Sequence, residues 1–149
     1  MAEAAGGPAS GKVAFELVSP ERVLASLEAD MVVVPGEEGD FGVLADHAPV
    51  LSLVRPGVIE IYDGNSVSRR IFIEGGFAEV NPKGLIVLAE AATPLPELSL
   101  DRAKELLRNA EDDLEDAREP SESEREKLER VIEVAKLRVE ALETHGGAV

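Results

Sequence analysis

The sequence predicts an α+β protein: an N-terminal antiparallel β-sandwich, or flattened barrel, followed by a C-terminal antiparallel two-helix hairpin. Three observations predict it. From residue 13 to about residue 89 the apolar residues alternate or come in short runs between turn formers, the period of two that marks strands. From Ala103 onward they recur at steps of three and four, the period of an amphipathic helix. Between the two lies Thr93-Pro94-Leu95-Pro96, whose prolines favour an extended connector and let neither a strand nor a helix run through.

Residues 1–11, with Gly6, Gly7, Pro8, Ser10 and Gly11, have little to bury and read as a mobile tail, so the β domain is expected over 12–93. Val13, Phe15 and Leu17 share one face of a first strand that Ser19-Pro20 ends. Residues 31–34 form a second clear run, stopped by Pro35-Gly36. Residues 58–62 close at the turn Asp63-Gly64-Asn65. Ile71-Phe72-Ile73 and the runs 77–80 and 85–89 follow, separated by Gly75-Gly76 and Asn81-Pro82-Lys83-Gly84. Such spacing leaves no room for the crossover helices of a parallel sheet, so antiparallel pairing is expected.

Residues 94–97 are expected to be the linker and 98–149 the helical hairpin. Ala103, Leu106, Leu107, Ala110, Leu114 and Ala117 fall on one face of a helix opened by Ser99 as N-cap and ended by Glu119-Pro120. A second helix starts near Ser121 or Ser123, each with a glutamate three residues on in capping-box spacing, and Gly146-Gly147 terminates it. Its stripe is Leu128, Val131, Ile132, Ala135, Val139 and Leu142. Each helix has a single apolar stripe, so the two are expected to hide them against each other. The alanines make that seam thin, since small side chains bury little area.

The 149-residue chain holds 30 acidic and 15 basic residues, a net charge of -15 that repels phosphate backbones and anionic lipid at long range, so no nucleic-acid partner is expected. Without cysteine there is neither a disulfide framework nor a thiolate nucleophile. No apolar run reaches the roughly 18 residues needed to cross a bilayer, and the start lacks a signal or presequence character, so the expectation is a protein made and kept in a bacterial cytoplasm. His47 and His145 are the only histidines, far apart in sequence. No convergent ligand set and no nucleophile elbow accompany them, so no metal, no cofactor and no catalytic residue is expected.

The stretch Gly36-Glu37-Glu38-Gly39-Asp40-Phe41-Gly42 resembles a phosphate cradle in its glycines only. Its carboxylates oppose an anion, and no Lys-Ser or Lys-Thr pair follows. It reads instead as an acidic, exposed turn displaying Phe41, either merely solvated or the docking tip for a basic partner.

At this loop a resemblance becomes specific. Residues 28–44, followed by His47-Ala48-Pro49 and Arg55-Pro56-Gly57, look like the signature of epsilon subunits of F-type ATP synthases, the bacterial equivalent of the mitochondrial delta subunit. Val18-Ser19-Pro20-Glu21, the run 74–80 and Val87-Leu88-Ala89-Glu90 extend the resemblance over nearly the whole chain from Lys12. It implies a β domain of about ten strands, packed on the gamma subunit at the foot of the central stalk. It implies an acidic loop resting on the c-ring, which carries Glu38, Asp40 and Phe41 over as ring contacts. It implies a non-catalytic rotor part that couples proton flow to ATP synthesis, peripheral on the cytoplasmic face of the inner membrane and held there only through the complex. The hairpin is then a candidate regulator of ATP hydrolysis, reaching the alpha and beta subunits.

Two departures stand out. Ala45-Asp46 replaces a Pro-Gly common before the His-Ala-Pro stretch, adding a charge and loosening the turn. Some members bind ATP through a hairpin motif of which Leu98, Arg102 and Ala103 remain here, but Ser99 stands where an Asp is expected and Asn109 where a basic residue is. Arg102 and Ala103 are thus the residues of a degraded nucleotide site, and helix capping is the better reading of Ser99. The alternative function is a free-standing β-sandwich that binds a small ligand, with the hairpin as a dimerisation device.

Overall fold

The computed structural model describes residues 11–146, so the calls on the rest of the N-terminal tail and on Gly147 lie outside the described residues. The chain divides into two compact units between Pro94 and Leu95.

The first unit contains ten strands: β1 (Val13–Val18), β2 (Val23–Ala29), β3 (Met31–Gly36), β4 (Gly39–Val43), β5 (Val50–Val54), β6 (Gly57–Asp63), β7 (Ser66–Ile73), β8 (Gly76–Asn81), β9 (Gly84–Ala89) and β10 (Ala92–Pro94). Their order is β10-β7-β6-β3-β5-β8-β9-β1-β2, with β4 also on β3. The link between the two halves of this order is narrow, because β3 and β5 share only the pair Gly36 and Val54. Side chains from both halves form one core, including Phe15, Leu17, Val32, Val34, Ile59, Ile61, Ile73, Leu85 and Val87. Each such buried side chain contributes roughly 1.5–3 kcal/mol.

Several elements differ from the sequence reading. Strands β2 and β5 are not among the runs it singled out; in β2 the most buried positions are Ala25 and Ala29, whose small side chains give a weak periodic signal. Pro35 does not stop β3, which runs through Gly36; the β6 partner ends at Val33, so the N–H that Pro35 lacks is not needed there. The sheet is also not purely antiparallel. β1 runs parallel to β9, Phe15 opposite Leu85 and Leu17 opposite Val87. The chain between them builds the other strands and thereby serves as the crossover. The segment 94–97 is not an extended connector: Pro94 ends β10, opposite Ile71, and Leu95–Glu97 is a 3-10 turn. A proline is tolerated at the tip of this short edge strand because nothing further along it requires a donor.

Asp30 ties three places together. Its carboxylate accepts from the Gly64 N–H in the β6–β7 turn, 2.5 Å away, and from Lys12 Nζ at 3.2 Å. The Gly64 amide, then Lys12, holds this carboxyl below its ordinary value. A depressed carboxylate contributes stability that is fully present above the unfolded-state pKa and is lost as pH falls through the folded one. Thermal melts from about pH 6 down to about pH 2 should therefore show a steeper acid loss for the wild type than for Asp30→Asn. Parallel curves would remove Asp30 from the account.

The second unit contains α1 (Leu100–Asp116) and α2 (Glu122–His145), which pack on each other. Ser99 is the N-cap of α1, its side chain accepting from the Arg102 N–H at 3.2 Å. Ser121 and Glu124 form the reciprocal capping box of α2. Gly146 closes α2 in the left-handed conformation, its N–H donating to the Leu142 carbonyl. The stripe of α2 is uneven. Val134, Ala135, Val139, Ala141 and Leu142 are buried, whereas Val131, expected among them, is 56% exposed. The buried residues of α1 are Ala103 and Ala110, too short to cover much of a facing helix.

Candidate functional site

Two features of the β unit stand out, an acidic turn and an exposed apolar row, and they adjoin. The turn joins β3 to β4 and has two residues, Glu37 and Glu38, between the paired Gly36 and Gly39. The expected seven-residue loop is therefore mostly strand. Gly36 is required by close approach: a Cβ there would lie 2.7 Å from the Gly39 carbonyl and 2.9 Å from the ring of Phe41. Phe41 is thus folded over Gly36 and against the core rather than displayed at the tip. Glu37 and Glu38 are exposed.

Asp40 has a partner that sequence proximity hid. Arg55, at the end of β5, donates from Nη2 to Asp40 Oδ1 at 2.6 Å and from Nη1 to the Gly36 carbonyl. The Arg55 N–H donates to the Pro35 carbonyl and the Glu37 N–H to the Leu53 carbonyl, each at 2.9 Å. The turn is therefore bound to β5 along one side. Nearby, Asp46 takes a positive φ of 63°, the conformation a glycine would supply, and the turn is held by the His47 N–H on the Leu44 carbonyl. The replacement of Pro-Gly by Ala45-Asp46 leaves this turn closed rather than loosened.

The row was missed from sequence. Leu53, Phe77 and Leu88 lie opposite one another on β5, β8 and β9, and Val18 and Val23 continue the line on β1 and β2. Leu53, Phe77, Leu88 and Val23 are 50%, 45%, 52% and 56% exposed, and Leu51 beside them is 68% exposed. An exposed apolar row of this kind marks an interaction surface. Its signal was present: residues 85–89 are apolar throughout rather than alternating, as in strands covered on both faces. The row meets the turn at Leu53, whose carbonyl receives the Glu37 N–H.

Arg102 and Ala103 lie in the first turn of α1. The Arg102 guanidinium pairs with Glu105 at 2.8 Å, while Ala103 is buried. Ser99 uses its hydroxyl on the helix N-terminus. Among the described residues no group of three or more His, Asp or Glu could hold a metal ion, and no helix is long and apolar enough to cross a membrane.

Residues 12–95 match the model of the β-sandwich domain of the ATP synthase delta/epsilon chain. The chain belongs to this family. Similar relatives include the ATP synthase epsilon chain of Paramagnetospirillum magneticum, 54% identical over 72% of this chain and 80% of that one. That of Parvibaculum lavamentivorans is 47% identical over 83% of this chain and 95% of its own. Among solved structures, a chain of the Euglena gracilis mitochondrial ATP synthase, OSCP/F1/c-ring, superposes with a TM-score of 0.75 at 25% identity, over 91% of this chain and 84% of the other. A chain of the Tetrahymena thermophila mitochondrial ATP synthase central stalk and c-ring shares the fold, with a TM-score of 0.59 at 13% identity over 86% and 94%. In this delta/epsilon-family chain the acidic turn and the apolar row both lie within the matched domain.

Proposed function

We propose that this chain is the epsilon subunit of a bacterial proton-translocating ATP synthase, a central-stalk part of the rotor that couples and regulates while catalysis resides in other subunits. The observation that carries the reading is family membership along most of the length of relatives that are themselves ATP synthase epsilon chains. The apolar row Leu53, Phe77 and Leu88 suits a permanent partner, and we assign it to the gamma subunit. The exposed Glu37 and Glu38 suit a basic surface, and we assign them to the polar loops of the c-ring. Of the three contacts that the resemblance implied, Glu38 keeps that role, Asp40 shares its charge with Arg55, and Phe41 lends support from beneath. The complex then holds the chain peripherally on the cytoplasmic face of the membrane. The free-standing ligand-binding module has the family membership against it.

The test is a pull-down from detergent-solubilised membranes, with ATPase subunits expected in stoichiometric yield; their absence would reject the reading. The hairpin is assigned to regulation of hydrolysis through the alpha and beta subunits. ATP itself should bind weakly at most, because Ser99, standing where an Asp is expected, uses its hydroxyl to cap α1. Calorimetry on the isolated chain checks this, and micromolar affinity would overturn it. The boundary is assigned to 94–97, where β10 completes its pairing with β7 at Pro94. Limited proteolysis should yield a stable fragment ending there, and cleavage scattered through the β strands instead would refute two separable units.

A further inference from the structure

We propose that Arg55 is the positioning residue of the acidic turn: it clamps the neck of the β3–β4 hairpin, takes up the charge of Asp40, and leaves Glu37 and Glu38 as the carboxylates offered to a basic surface. The inference rests on the ring contact proposed above and adds how the contact is built. One guanidinium spans both strands of the hairpin immediately below its turn. Nη1 reaches the carbonyl of Gly36, the last residue before the turn, and Nη2 reaches the carboxylate of Asp40, the second residue after it. The arginine's own N–H is fixed on the Pro35 carbonyl, so the side chain starts from an anchored backbone. With Glu37 N–H on Leu53, the turn is tied to β5 by main chain on one side and by the fork of Arg55 across its base.

Two consequences follow from the chemistry. A two-residue turn flanked by glycines on both sides has little stiffness of its own, and the fork supplies it. Three carboxylates within four residues would repel one another; pairing Asp40 lowers the repulsion and places the remaining negative charge at Glu37 and Glu38, on the outermost residues. Lysine cannot replace arginine fully, because an ammonium is a point donor without the planar fork that meets a carbonyl and a carboxylate together.

Two measurements on the full-length chain and its complex test this. In the isolated chain, Arg55→Gln should leave the melting temperature within about 3 °C of wild type, while amide exchange at residues 37–39 rises about tenfold; Arg55→Lys should fall between. Unchanged exchange in Arg55→Gln would overturn the clamp. In reconstituted ATP synthase membranes, retention of the chain across a salt series should fail for Arg55→Gln at roughly half the wild-type ionic strength, with partial rescue by Arg55→Lys. Asp40→Asn should weaken retention less than Glu37→Gln/Glu38→Gln does. If the double glutamine variant is retained like wild type, the ring contact itself is wrong. If it is lost while Arg55→Gln is retained like wild type, or if Asp40→Asn is the most damaging change, the ring contact stands and the role given to Arg55 falls.

Discussion

Replacing Gly76 by alanine is expected to unfold the β domain or bring it close to unfolding. Gly76 opens β8 at φ 150°, between Val54 of β5 and Ala89 of β9. A Cβ at this position would lie 1.9 Å from the Leu88 carbonyl oxygen. That oxygen belongs to the backbone of a neighbouring strand, so no side chain can rotate away to make room. The added methyl carries the cost of an unfavourable φ, about 1–3 kcal/mol, and forces β9 off β8 as well. We expect a total of about 3–5 kcal/mol, a large share of the stability of an ordinary domain. In a domain of this size it corresponds to a fall in melting temperature of about 15–30 °C. Thermal denaturation followed by circular dichroism is the check, and a fall of less than about 3 °C would show that the strands adjust without loss.

Placing carboxylates in the apolar row should abolish assembly without touching the fold. Phe77→Glu/Leu88→Glu changes two side chains that are each about half exposed, and such surface substitutions ordinarily shift stability by about 0.5 kcal/mol or less apiece. In the gamma contact proposed above the same two groups would be enclosed against the partner. An unpaired carboxylate in an apolar interface costs several kcal/mol, so two of them should weaken the association by about a thousandfold or more. The two carboxylates face each other across β8 and β9, so the variant should melt a few degrees below wild type, yet stay folded and fail to co-purify with the gamma subunit. Co-purification at wild-type yield, from a protein shown to be folded, would take the row out of the gamma contact.

The caps at Ser99 and Ser121 were legible because each depends on local chemistry, a hydroxyl at a helix start. The strand that seats Val13, Phe15 and Leu17 was legible because these large apolar residues alternate with the small Ala14 and the charged Glu16. Strand β2 was not, since alanines stand at its most buried positions. The Asp40–Arg55 pair spans 15 residues, and the pairing of β3 with both β4 and β5 brings its members together. The apolar row is a property of register: Leu53, Phe77 and Leu88 are scattered in sequence and meet only across three strands. Local signals give elements, whereas sites made by neighbouring strands need the sheet order.

The parallel pairing of β1 with β9 has a consequence for the newborn chain. On the ribosome, β1 and β2 can form their hairpin early, but the strand that belongs on the far side of β1 is made last but one in this domain. At about 5–20 residues per second, the roughly 70 residues from Phe15 to Leu85 take about 4–14 s to synthesise. Throughout that interval the hairpin presents an open edge and the uncovered side chains of Phe15 and Leu17. The β1–β2 hairpin therefore waits with one edge open until β9 emerges, while β3, β4, β6 and β7 can already pair among themselves, so the edge of β1 is among the last in the domain to be closed.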